Sequence, residues 1–229
     1  MHLCTPRRRS TWRLRRSSWG CSRLYWGAPM STVADEILNI RNRAWATSGA
    51  RYNAARRLRT RSKLSLATIS LISAIGVAIP LIISHPDFAA KSSVLGLYAA
   101  ILSIFTLVVA VIEGAAGYDA KADSLYRNAE ELNAFRMRVA ISLSDPTLQT
   151  TALLQEITTE YERIRSTCPI NHENIDFQLH KSQHPLDFNL NPSLFRSALI
   201  SGWWGLYSTW WLALVSIISV LILFFVIKT

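Results

Sequence analysis

Two uncharged apolar runs, 64–84 and 92–112, dominate the chain and lie only a few residues apart. An apolar helix of about 20 residues, at roughly 1.5 Å rise each, is what a bilayer core requires. Each run reaches that length without an Asp, Glu, Lys or Arg. The linker between them, His85-Pro86-Asp87-Phe88-Ala89-Ala90-Lys91, has room for a turn and nothing more. The pair therefore predicts a membrane hairpin, and every functional reading must accommodate it.

The net charge of +10 is unevenly distributed. Residues 1–29 carry seven Arg and no acid, and residues 30–63 carry eight Lys and Arg against Asp35 and Glu36. Residues 114–197 are mildly acidic. Basic residues flanking a membrane run hold that flank in the cytoplasm, so the charge reads as topology. Direct nucleic-acid binding is not expected. The three cysteines, Cys4, Cys21 and Cys168, have no zinc or disulfide spacing.

Residues 1–29 are rich in Arg, Ser and Trp, without hydrophobic periodicity. Met30-Ser31-Thr32-Val33-Ala34-Asp35-Glu36 looks like a natural start into a helix. The upstream stretch is expected to be disordered or a gene-calling artefact. A basic arm on anionic lipid and a transit peptide are the alternatives.

Residues 30–63 predict a basic cytoplasmic helix, capped by Ser31 or Thr32 with Asp35 and Glu36 in its first turn. Ile37, Ile40, Ala44, Arg51, Ala55 and Leu58 fall near one face. After Glu113, the positions Tyr118, Ala122, Leu125, Ala129, Leu132, Arg136 and Val139 keep a three-four spacing, as in a coiled-coil seam. Asp145-Pro146 opens another helix, with Thr150, Leu154, Ile157, Tyr161 and Ile164 as its apolar face. Cys168-Pro169 breaks it. A short helix is expected from Asn171 to about Gln183. Asn191-Pro192 opens the last one, whose run 202–227 is uncharged and begins with Trp203, Trp204, Tyr207, Trp210 and Trp211. Trp and Tyr gather at membrane boundaries, so this predicts a third membrane helix.

The second apolar run carries a stripe: Ser92, Gly96, Ala99, Ser103, Thr106, Ala110, Glu113. Each member is small or polar, at spacings of three and four. Small residues let membrane helices approach closely, which gives a packing face. The alternative is a face lining a water-filled path in an oligomer, with Glu113 at its mouth. His172, Asp176, His180 and His184 recur every four residues. Polar anchoring of a short helix explains them better than a metal site, and no metal is expected. No phosphate loop, nucleophile elbow or paired acid is present, so no catalytic residue, enzyme activity or cofactor is predicted.

Several segments together resemble the SLATT family, the two-helix membrane effector domains of prokaryotic conflict systems. They are Arg51-Tyr52-Asn53-Ala54-Ala55-Arg56-Arg57-Leu58 before the hairpin, then Tyr118-Asp119-Ala120-Lys121-Ala122 and Asn128-Ala129-Glu130-Glu131-Leu132 after it. Tyr161-Glu162-Arg163-Ile164, Asn171-His172 and Ile175-Asp176-Phe177 complete the set. The resemblance covers residues 37 to 190. It implies an effector of antiviral defence that oligomerises and permeabilises the membrane. The trigger would be a nucleotide second messenger or a partner, and a second-messenger synthase or reverse transcriptase would be encoded nearby. Tyr161, His172 and Asp176 are the expected cytoplasmic motif. The alternative function is a non-conducting anchor or scaffold for a partner enzyme.

The expected fold is an all-α membrane protein. A transmembrane helical hairpin (64–113) is continued by a cytoplasmic helical bundle (30–63 and 114–196), with a third, C-terminal transmembrane helix (197–229). The bilayer and further copies of the chain are the expected partners. The chain would sit in the cell membrane as a multi-pass protein with its N-terminus cytoplasmic.

Overall fold

The computed structural model describes residues 32–86, 92–190, 194–207 and 209–228. The basic extension, the hairpin linker from Asp87 to Lys91 and the Asn191-Pro192 helix start lie outside them. Nearly all of the described residues are helical, and none forms a strand.

The first helix, α1, runs unbroken over Val33–Ile83, 51 residues, or about 75 Å at the usual rise. Thr32 begins it with a reciprocal cap. Its hydroxyl accepts the Asp35 N–H at 3.1 Å, and its own N–H donates to the Asp35 carboxylate at 3.1 Å. That contact holds the Asp35 carboxyl below the usual carboxylate range. The antiparallel partner of α1 is made of two helices, α2 (Ser92–Ala115) and α3 (Tyr118–Ser144). The sequence predicts one continuous helix there. Gly117 interrupts it at φ 60°, ψ 40°, a left-handed conformation that lacks a steric penalty only in glycine.

The polar half of this hairpin is completed by α4 (Thr151–Thr167) and α5 (Asn174–Gln183). Asp145 and Pro146 do not open α4 as expected. They form a separate 3-10 turn over Pro146–Leu148, and Thr150 caps α4 through the Leu153 N–H at 3.2 Å. One apolar cluster joins α1, α3 and α4 through Ile37, Ile40, Ala44, Leu132, Phe135, Val139, Ile157, Tyr161 and Ile164. Fully burying a side chain such as Phe135 or Leu132 contributes about 1.5–3 kcal/mol. The seam expected at Arg136 is filled instead by Phe135, one position earlier and fully buried. A second cluster, Ala54, Ala55, Ala122, Leu125 and Cys168, carries the packing toward the membrane half.

There the hairpin is held by Ile72, Ile79, Leu95 and Leu102. The opposite faces are uncovered: Leu66, Val77, Leu97, Ile101, Ile104 and Leu107 are all exposed. So continuous an apolar surface is untenable in water and ordinary in lipid. Two helices are long and apolar enough to cross a membrane.

The C-terminal apolar run is two helices, α6 (Leu194–Tyr207) and α7 (Trp210–Lys228), bent by 65° about a short break. This bent pair is the third candidate span, in place of the single straight helix expected. Leu212 is buried, Val215 packs on the membrane cluster, and the Tyr98 hydroxyl donates to the Ser219 carbonyl at 2.8 Å.

Candidate functional site

Four polar residues of α1 turn inward where its basic half meets its apolar half: Arg51, Asn53, Arg57 and Arg61. Asn53, Arg57 and Arg61 follow one another at four-residue spacing along one face, while Arg51 is buried on another side, toward α3 and α4. Buried charge is costly unless paired, so each needs a partner.

Arg57 finds the strongest one. Its Nε and one terminal nitrogen grip the two oxygens of Asp176 at 3.0 and 2.9 Å, and it also reaches Glu173 at 3.0 Å. Asp176 is wholly buried and accepts two further bonds, from Trp204 Nε1 at 3.0 Å and the Glu173 N–H at 3.1 Å. Burial works against the charge on Arg57, but the adjacent Asp176 and Glu173 carboxylates outweigh it and raise the guanidinium pKa. Asn53 adds a bond from its amide to the Asp176 carbonyl at 3.2 Å. One carboxylate thereby ties together α1, α5 and α6.

Above it, Arg51 donates to Asn128 and, at 3.3 Å, to the Arg165 carbonyl. Asn128 in turn donates to the Ile164 carbonyl at 2.6 Å and to Thr167 at 3.1 Å, which fixes the end of α4. Below it, Arg61 pairs with Glu113 at 3.0 Å. Aromatic rings cover the outer side of this row. Arg56 lies 5.0 Å from the Trp204 ring, Arg57 5.7 Å from Tyr207, and Arg61 4.4 Å from Tyr118 and 5.9 Å from Trp211. Guanidinium stacking of this kind is favourable and stronger when water is excluded. The tryptophans that composition assigns to the membrane boundary therefore have specific partners.

The stripe on α2 lies beside the buried seam rather than on it. Leu95, Leu102, Val109 and Glu113 are the buried residues of α2. Gly96, Ala99, Thr106 and Ala110 are half-buried, while Ser92 and Ser103 are exposed. The Ser103 and Thr106 hydroxyls bond back to the Ala99 and Leu102 carbonyls at 2.8 and 2.7 Å. Glu113 is 6% exposed; one carboxylate oxygen accepts from Arg61 at 3.0 Å, and the other has no hydrogen-bond partner among the described residues.

Tyr161 sits in the first core, 6.1 Å from the Phe135 ring. His172 is half-buried near Phe177, and its ring makes no hydrogen bond among the described residues. Burial, then the Arg51 charge, depresses its pKa. The four-residue recurrence does not converge: Asp176 faces Arg57, whereas His180 and His184 face Trp45 at 4.8 and 5.3 Å. Burial and the neighbouring His184 push His180 down to about 4, so it is neutral at pH 7. Its imidazole occupies the space a side chain at Gly49 would need. Arg57, Asn128, Trp204 and Gly49 were not among the expected site residues. Arg57 and Asn128 fall inside the segments that carry the family resemblance and Trp204 inside the Trp cluster, but only an Asn in an apolar seam and a Gly in a long helix mark a buried role locally.

These features define a class: a two-helix membrane hairpin whose helices rise into a polar bundle, clamped at the junction by buried ion pairs. The model of the SMODS and SLOG-associating 2TM effector domain family 5 matches residues 33–226. The chain belongs to this family, SLATT, and is thereby a two-helix transmembrane effector domain of conflict systems. The domain is of an effector type and not a known catalytic fold. Among curated proteins and among solved structures, nothing matches this chain.

Proposed function

We propose that the protein is a membrane effector of prokaryotic antiviral defence that assembles into a homo-oligomer and permeabilises the membrane. The trigger acts on the polar bundle and is a nucleotide second messenger or a partner protein. The observation that carries this is the continuity of α1, which belongs at once to the bundle and to the membrane hairpin. A rearrangement sensed by the bundle is thereby delivered to the bilayer without an intervening loop. Two helices enclose no path, so conduction needs several copies, and the exposed Ser92 and Ser103 are placed to face a neighbouring hairpin. The non-conducting scaffold keeps one supporting observation: Arg61 already neutralises Glu113.

Flux through reconstituted liposomes separates the two. The wild type should release a trapped dye or ion once triggered. Ser103→Leu should abolish release, because a branched chain replaces a small hydroxyl on the stripe. Ile101→Leu, at a position 57% exposed on the opposite face of α2 from Ser103, should be tolerated, since lipid accepts either residue. Release that survives Ser103→Leu unchanged would remove the stripe from the mechanism, and a silent wild type would leave the scaffold.

The same proposal places the polar bundle in the cytoplasm, because the basic residues of 30–63 flank the first span. A cysteine at Gln155 should react with an impermeant reagent only from the cytoplasmic side, and one at Asp87 only from outside. The reverse pattern would invert the topology.

A further inference from the structure

A cavity of about 550 Å³ opens between α1, α4 and α5. Arg43 and Arg51 line it from α1, Arg165 from α4, His172 from the stretch before α5, and Phe177 from α5 itself. No Asp or Glu is among its lining residues in the described chain. Three guanidiniums around one space repel one another unless something negative lies between them.

None of the three is fully satisfied by the protein. Arg51 is 3% exposed, and its Nε is buried without a hydrogen-bond partner. Arg43 lies over the Tyr161 ring, at 5.9 Å. Arg165 pairs with Glu162 at 2.8 Å, but both side chains are about half exposed, so water weakens that pair. The buried Nδ1 of His172 is a further polar atom without a partner.

We propose that this cavity binds a small phosphate-bearing ligand with a flat ring, the chemistry of a nucleotide, held by Arg43, Arg51 and Arg165. The planar fork of a guanidinium matches phosphate oxygens, two at a time. The volume lies within the range of sites for molecules of nucleotide size. Phe177 and His172 supply ring surface for the planar part. The location gives binding a consequence. Phe177 follows Asp176 directly, and Asp176 holds Trp204 of α6. A ligand that draws α5 toward α1 and α4 therefore pulls on the tie to the C-terminal apolar helices. This deepens the trigger proposed above and rests on it only for what happens after binding.

Isothermal titration of the full chain in detergent micelles tests it, with ADP and inorganic pyrophosphate as probes. ADP should bind saturably at one site per chain, and pyrophosphate more weakly. Arg43→Ala and Arg165→Ala, both at exposed positions, should each weaken ADP at least tenfold. Arg138→Ala, an exposed arginine paired with Glu160 elsewhere, should leave it unchanged. No saturable binding of ADP, or an equal loss in Arg138→Ala, would overturn the site. Binding is read here without a bilayer. A chain that binds ADP yet conducts nothing would therefore sink the pore and keep this site, and the converse result would do the opposite.

Discussion

Asp176→Ala should destabilise the protein by about 3–5 kcal/mol, the usual cost of stripping one partner from a buried ion pair. The carboxylate accepts four hydrogen bonds, two from Arg57 and one each from Trp204 and the Glu173 backbone. Alanine leaves Arg57, only 6% exposed, with Glu173 as its remaining counter-charge. The loss should appear in chemical unfolding of the micelle-bound protein, with faster hydrogen exchange in α5 and α6. Adding Arg57→Met to Asp176→Ala should recover part of it, because the uncompensated charge then disappears. Such non-additivity is what a direct pair produces. An Asp176→Ala protein within 1 kcal/mol of wild type would show that the carboxylate is not the tie described.

Gly49→Ala should destabilise the protein, which inverts the ordinary sign of this substitution. Glycine inside a helix normally costs about 0.5–1 kcal/mol relative to alanine. At Gly49 an added Cβ would stand 2.1 Å from Cε1 and 2.3 Å from Nδ1 of His180. The imidazole cannot simply retreat, because Trp45, His184 and Phe188 surround it at centroid distances of 4.8, 4.8 and 5.8 Å. Overpacking of this kind costs about 1–3 kcal/mol, enough to outweigh the gain in helix propensity. The check is a thermal unfolding series that includes His180→Ala. In that background the clash is absent, so Gly49→Ala should become stabilising. A stabilised single variant Gly49→Ala would mean that α5 does not sit against α1 here.

Where local chemistry determines structure, the sequence is a good guide. The apolar runs give the hairpin, the Thr32–Asp35 cap is legible in four residues, and the spacing of Ile157, Tyr161 and Ile164 marks the buried face of α4. Spacing misleads where two registers compete. On α3, Arg136 fits the three-four pattern, but Phe135 has more apolar surface to bury and takes the seam. On α2, the side chains are apolar almost all round, so the small stripe stands out by contrast, while Leu95, Leu102 and Val109 make the contact. The junction was the least legible part. Asp176 belongs to the expected cytoplasmic motif, but its partner Arg57 lies 119 positions away, and no local pattern joins the two. A run of arginines before a membrane segment reads as a solvated, topology-setting face. That several point inward follows only once α5 and α6 are laid against them.

The unbroken course of α1 fixes an angular phase between the two halves of the molecule. Each residue advances a helix by about 100°, so Arg57 and Arg61 set the direction in which Ile72 and Ile79 can point. No turn lies between them to absorb an error. The other arm of the hairpin has such a joint at Gly117, where the chain can yield. The protein thus pairs a stiff shaft with a jointed one. One inserted residue between Arg61 and Thr68 would swing the entire lower seam by more than a quarter turn, with every side chain still the right kind. Sequence drift in this segment is therefore restricted in length far more severely than in composition.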